Sequence, residues 1–222
     1  EVKLYPSGSL YKGLDLLQAL LRGLAEMTTL ISAYYSALSP RLAVSELPYA
    51  FPTKEAFYRA VDGGFFRYAT RQDWSDPHYE RMLYDNAQLV ALYALAGRAE
   101  IAEGIAHWLG TMQLPGGGFA SAQDSESTVD GRRVEGFYYS LDAASRERVE
   151  RPPVDEKVLT GWNGLAIEGL SVAGSVLGRP EWVAMARRSA DFLLEHHVGG
   201  RRVRASIGGV LSPAHATLED SG

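Results

Sequence analysis

Residues 80–113, ERMLYDNAQLVALYALAGRAEIAEGIAHWLGTMQ, decide the fold. Met82, Leu83, Ala87, Leu89, Val90, Leu92 and Ala94 surround nearly the whole circumference of a helix predicted over 80–96. A helix apolar all round needs cover on every side. Gly97 marks a turn. A second helix is predicted over 98–113, with Ile101, Ile105, Trp108 and Met112 facing inward and Arg98, Glu100 and Glu103 facing out. The Gly-rich run PGGGFASAQ follows at 115–123.

The pattern returns near Thr160. Leu165 to Leu177 is again apolar almost all round, and Gly178-Arg179-Pro180 is the turn, with Pro180 suited to a first helical position. Glu181 to Val198 is amphipathic, with Trp182, Ala186, Ala190 and Leu193 on one side. Gly199-Gly200 and a β-hairpin around Arg202 to Leu211, turning at Gly208-Gly209, complete the second copy. The turns match: AGRAE at 96–100 and LGRPE at 177–181. The unit is a buried helix, a Gly turn, an amphipathic helix and a Gly-rich β-excursion.

Concentric inner and outer helices predict an all-α fold, an (α/α) toroid with short β-hairpin excursions gathered at one mouth. A solenoid of helix pairs is the competing architecture. About three hairpins are countable, so the toroid is expected to be incomplete. Upstream, residues 10–38 read as a helix with Leu10, Leu14, Leu17, Leu21 and Leu24 at helical spacing, and 53–61 as a short helix. The chain is expected to form a single domain over 1–222.

Composition narrows the function. The 222 residues are 46% hydrophobic and 22% charged, ordinary for a globular protein able to bury a sizeable core. The net charge of −5 and the lack of any basic block beyond arginine pairs argue against nucleic-acid binding. The absence of cysteine excludes disulfides and thiolate chemistry and fits a cytoplasmic protein. No apolar run reaches membrane-spanning length, and EVKLYPSGSL has no signal-peptide pattern, so no membrane association is expected.

The densest chemistry lies at 63–89, GGFFRYATRQDWSDPHYERMLYDNAQL. Aromatic faces stack on sugar C–H faces, and carboxylates and amides bond hydroxyls, so this stretch predicts a carbohydrate-type pocket.

GGFFRY, WSDPHYERMLYDNAQL, GGGFASAQDSES followed by EGFYY, and DEKVLTGWNGL together resemble the YyaL/spermatogenesis-associated protein 20 family. The match spans about residues 63–170. That family joins a thioredoxin-like domain to an α/α toroid similar to six-hairpin glycosidases and N-acylglucosamine 2-epimerases. The resemblance therefore implies a toroid and a sugar-type pocket, with no reaction attached. Against that family, this sequence is expected to be without the thioredoxin-like domain, reads AQDSE where the family usually has AEDADSE, and matches poorly over 1–52 and up to Gly63.

His78, Glu80, Asp85 and Asp124 are the candidate proton-transfer or anchoring residues. Imidazole titrates near neutrality; capping is the plain alternative for His78. Asp124 and Glu126 on a Gly-rich loop could form the acid pair of glycoside hydrolysis, or simply a solvated acidic loop. Asp85 and Asn86 break an apolar helix and need partners or a cavity. Arg67, Trp74, Tyr84, Asn86, Phe119, Glu126, Trp162 and Asn163 are the candidate substrate-binding residues. Asn163 sits near the start of its helix much as Asn86 does, which equally suits a shared structural duty. His196-His197 reads as favourable charge at a helix C-terminus, not as a metal site. No metal or cofactor is expected. The expected ligand is a small sugar, turned over by hydrolysis or epimerisation if the protein is an enzyme. A non-catalytic interaction scaffold is the alternative, and a homo-oligomer would cover open helical edges.

Overall fold

A computed structural model describes residues 63–69, 77–199, 202–217 and 220, all within one compact unit, Phe51–Gly222. Trp74 and the helices expected over 10–38 and 53–61 lie outside the described residues.

Both repeated hairpins form. Helix α1 (Leu83–Leu95) and α2 (Ala99–Met112) make the first. After two short helices, α3 (Phe137–Ser140) and α4 (Ala143–Arg146), α5 (Thr160–Leu177) and α6 (Pro180–Leu193) make the second. The outer helix α6 does not stop at Leu193. A π-turn, Leu194–Val198, inserts one residue into its end. Gly178 ends α5 in the left-handed conformation, and Pro180 opens α6.

Strands are more prominent than an all-α reading allows, and the architecture is mixed. Among the described residues, ten short strands run between and around the helices: β1 Tyr68–Ala69, β2 Pro77–His78, β3 Arg81–Met82, β4 Ala122–Gln123, β5 Glu126–Val129, β6 Arg132–Glu135, β7 Val154–Asp155, β8 Val158–Leu159, β9 Ala205–Ile207 and β10 Val210–Leu211. The sheets are β1-β2, β3-β4-β7, β5-β6 and β8-β9-β10. The β5-β6 hairpin turns on Asp130-Gly131, both at positive φ, as a two-residue hairpin loop requires.

The repeat extends to the strands. β3 leads into α1 and pairs with β4 of the following excursion, Arg81 opposite Gln123 and Met82 opposite Ala122. β8 leads into α5 and pairs with β9, Val158 opposite Ser206 and Leu159 opposite Ala205. The first amide of each inner helix donates to that excursion: Leu83 N–H to Ser121 O at 2.9 Å, Thr160 N–H to Arg204 O at 3.0 Å.

The inner helices pack directly on one another. Gly169 of α5 faces α1 so closely that a methyl group there would run into the Ala87 carbonyl. Leu83, Ala87, Val90, Ile105, Trp108, Leu109, Phe119, Ala166, Leu170 and Ala173 form the core between the layers. The inner helices are not covered all round by the described residues, as their composition predicts they should be. Leu95 of α1 is 44% exposed and Val176 of α5 is 49% exposed.

Candidate functional site

The N-terminal ends of α1 and α5 carry Tyr84 and Trp162 at their second and third positions. The two rings meet with centroids 4.8 Å apart, tilted by 56°. The Tyr84 hydroxyl favours the charged forms of both the Arg67 guanidinium and the Asp85 carboxyl. Arg67 also pairs with Glu80 at 3.1 Å, and its amide donates to the Glu80 carbonyl at 2.9 Å. Four of the predicted site residues, Glu80, Arg67, Tyr84 and Asp85, thus share one neighbourhood, and Trp162 packs on Tyr84.

Asp85 is the half-buried carboxyl of this group. Burial pushes its carboxyl up to about 6, against the downward pull of the Tyr84 hydrogen bond and the Arg67 charge. Its Oδ2 is buried and has no hydrogen-bond partner among the described residues. A half-buried carboxyl that changes charge near neutrality can give or take a proton. His78 sits in the β1-β2 pair, opposite Tyr68, with ring centroids 4.8 Å apart. Its Nδ1 is buried and has no hydrogen-bond partner among the described residues.

The other predicted residues go to structural duties. Asn86 is fully buried. Its Oδ1 accepts from Phe65 N–H at 2.6 Å, and its Nδ2 donates to Phe65 O at 3.1 Å and Met82 O at 2.9 Å. Asn163 repeats this on Phe119, at 2.7 Å and 3.1 Å, and donates to Leu159 O at 2.9 Å. Ser189 adds a donor to its Oδ1 at 3.0 Å. Both amides are consumed by backbone, which corrects their placement among ligand-binding residues. Phe119 is corrected too. It is fully buried behind this clamp and offers no stacking surface.

The clamped loops are themselves copies. Gly63 and Gly117, at φ +81 and +105, lie against outer-helix backbone at Gly104 and Arg188 respectively. Only glycine tolerates that conformation and that approach together. The next glycines, Gly64 and Gly118, lie under the rings of Trp108 and Phe192. Gly-Gly-Phe in the sequence thus marks a loop gripped by an inner-helix asparagine and covered by an outer-helix aromatic.

Asp124 and Glu126 are both held by Arg133 of β6, at 2.5 Å and 2.6 Å. Asp124 Oδ1 also accepts from the Glu126 amide at 3.1 Å. Their carboxylates brace the hairpin rather than standing ready as an acid pair. Asp155 and Lys157 pair with each other at 3.0 Å. Three groups escaped the sequence reading. Arg133 needed the hairpin register, which Asp130-Gly131 could have supplied. Arg81 is fully buried between the Trp108 and Tyr139 rings and donates to Gln123 Oε1 at 2.6 Å and Gly63 O at 2.6 Å. His197, read with His196 as favourable charge at a helix C-terminus, is fully buried. Among the described residues, no helix is long and apolar enough to cross a membrane.

Comparison with known proteins divides the chain. Residues 1–82 match the family model described as bacterial extracellular solute-binding protein, family 7. Human spermatogenesis-associated protein 20 is 25% identical over 230 residues, covering 61% of this chain and 29% of that protein. The rat protein of the same name is 27% identical over 259 residues, covering 72% and 32%. The chain spans about a third of the length of these relatives. Among solved structures, one described as a novel alpha-amylase from Clostridium perfringens aligns over 70% of this chain and 41% of its own, at 15% identity and a TM-score of 0.45. Over most of its length, then, the chain is similar to spermatogenesis-associated protein 20.

Proposed function

We propose that the described unit is a segment of an (α/α) toroid of the YyaL/spermatogenesis-associated protein 20 type, and that the mouth at the N-terminal ends of α1 and α5 takes a small sugar. The observation that carries this reading is the Tyr84–Trp162 ring pair beside Asp85, whose buried Oδ2 has no partner among the described residues. Aromatic rings suit sugar C–H faces, and a carboxyl with an open oxygen suits a hydroxyl. Asp85 handles the proton in any turnover, while Arg67 and Glu80 fix the Tyr84 hydroxyl. The absence of cysteine supports a cytoplasmic location. The solute-binding match belongs to the N-terminal stretch and meets this site only over residues 63–82.

Ligand-observed NMR with a panel of mono- and disaccharides tests the reading. Binding is expected with wild type and should be lost in Trp162→Ala and weakened in Asp85→Asn. Binding that survives both changes places the sugar elsewhere.

A non-catalytic interaction scaffold is the second reading. It is supported by the apolar residues left uncovered on the β9-β10 hairpin, where Val210 is 70% exposed and Ile207 51%. Absence of sugar binding by the folded full chain would favour it.

A further inference from the structure

α2 and α6 leave an open groove of about 540 Å³ between them. An ion pair between Arg179 and Glu103 crosses it at one end. Past the other end Gln113 ties the two helices together, donating to the Met185 carbonyl at 2.9 Å and accepting from Arg188 Nε at 3.1 Å. Along α2 the lining runs from Glu103 to Thr111, about 12 Å of helix.

The α2 wall is low because Ala106 and Gly110 stand in it. A methyl group at Gly110 would meet only Met185 Cε, at an ordinary 3.6 Å. Glycine inside a helix is destabilising relative to alanine, and packing within the chain does not call for this one. What it leaves is room. On the α6 side lies Trp182, 7% exposed. Its indole N–H has no hydrogen-bond partner among the described residues. Too little of the ring is uncovered for a sugar face to stack on it, so the groove offers a donor at an edge rather than a platform. Charge completes the description. Arg179 feels Glu181 as well as its partner Glu103. Two carboxylates to one guanidinium leave the groove one negative charge, with His107 counted as neutral. Glu181 is exposed and stands outside the ion pair.

We propose that this groove binds a short, extended, basic peptide segment of a partner protein, with a lysine or arginine side chain on Glu181, a backbone carbonyl accepting from the Trp182 indole N–H, and an apolar side chain over Gly110 against Met185. An acidic ligand meets Glu181 and is repelled. A peptide supplies acceptor, cation and apolar group one residue apart, and about four extended residues match the length of the trough. The groove lies between α2 and α6, so the proposal does not rest on the sugar mouth at the starts of α1 and α5.

Indole N–H NMR of the full chain tests this, with the acetylated, amidated tetrapeptide Leu-Ala-Lys-Ala as probe and Leu-Ala-Glu-Ala as its acidic counterpart. The Trp182 signal is the one lost in Trp182→Phe. The lysine peptide should shift it saturably in the millimolar range and leave the Trp162 signal in place. The glutamate peptide should bind about tenfold more weakly, having lost an attraction and gained a repulsion. Glu181→Gln should weaken the lysine peptide about threefold, as removal of an exposed ion pair does. Gly110→Leu, which fills the groove, should abolish the shift; should that variant not fold, Glu181→Gln reads the same site from an exposed position. No shift at Trp182 with the lysine peptide, equal binding of the two peptides, or binding undiminished in both variants overturns the proposal. A Trp182 shift produced by raising the protein concentration alone overturns it too, because a second copy then occupies the groove.

Discussion

Asn86 and Asn163 occupy the same place in two copies of one unit, each at the fourth position of an inner helix and each bonded to both backbone groups of a phenylalanine. Replacing either by alanine removes three hydrogen bonds to backbone groups. Asn86→Ala should cost about 2–4 kcal/mol, as expected for several unpaired buried groups. Asn163→Ala should cost more, because Ser189 also loses its acceptor. Urea unfolding reads both. A loss below about 1 kcal/mol in either variant would show that the clamp is dispensable.

Two glycines of α5 should respond oppositely to a methyl group. Gly169→Ala forces α5 away from the Ala87 carbonyl and should destabilise by about 1–3 kcal/mol, the usual range for overpacking. Gly164→Ala meets nothing within 4 Å. It should stabilise by about 0.5–1 kcal/mol through helix propensity. Thermal melts of the pair, run side by side, check the sign of each.

Asp85 gives the stability a pH dependence of known sign. Its carboxyl is raised to about 6 in the folded chain. An unfolded aspartate sits near 3.9. The folded state therefore binds the proton more tightly. The stability that this affinity contributes is complete below the unfolded value and disappears as pH rises through about 6. Asp85→Asn should accordingly be more stable than wild type at neutral pH, by about 1–2 kcal/mol once partial exposure is allowed for. Melts across the acid range should show the advantage fading towards acid.

Arg133 joins Asp124 and Glu126 on an exposed hairpin, so its worth should be small. Arg133→Ala should cost about 1 kcal/mol or less, with the loss shrinking in high salt. Sugar binding, followed by the same NMR panel, should be unchanged. A variant that binds no sugar would return the two acids to the site.

The hairpins were legible because each of their signals is local. The Gly97 and Gly178 turns, Pro180 and the apolar circumference of α1 all act within one or two turns of helix. Tyr84 and Trp162 also meet for a reason visible in the sequence, since both lie at the starts of repeated helices. Phe119 misled because an aromatic beside three glycines suits a platform as well as a plug. Only the Asn163 clamp, made 44 residues away in sequence, separates the two. Arg133 depended on hairpin register, and the insertion that buries His197 has no compositional mark. The strands were under-read because most have two residues, too few for an alternating pattern to register.

The strand that introduces each inner helix is bonded to residues made only after the helical hairpin is complete, Arg81 to Gln123 and Val158 to Ser206. During synthesis the helices can wind as they emerge, but each unit stays unfastened until its own excursion has followed it out. Assembly should therefore advance in instalments, with the first hairpin locked while the second is still being made.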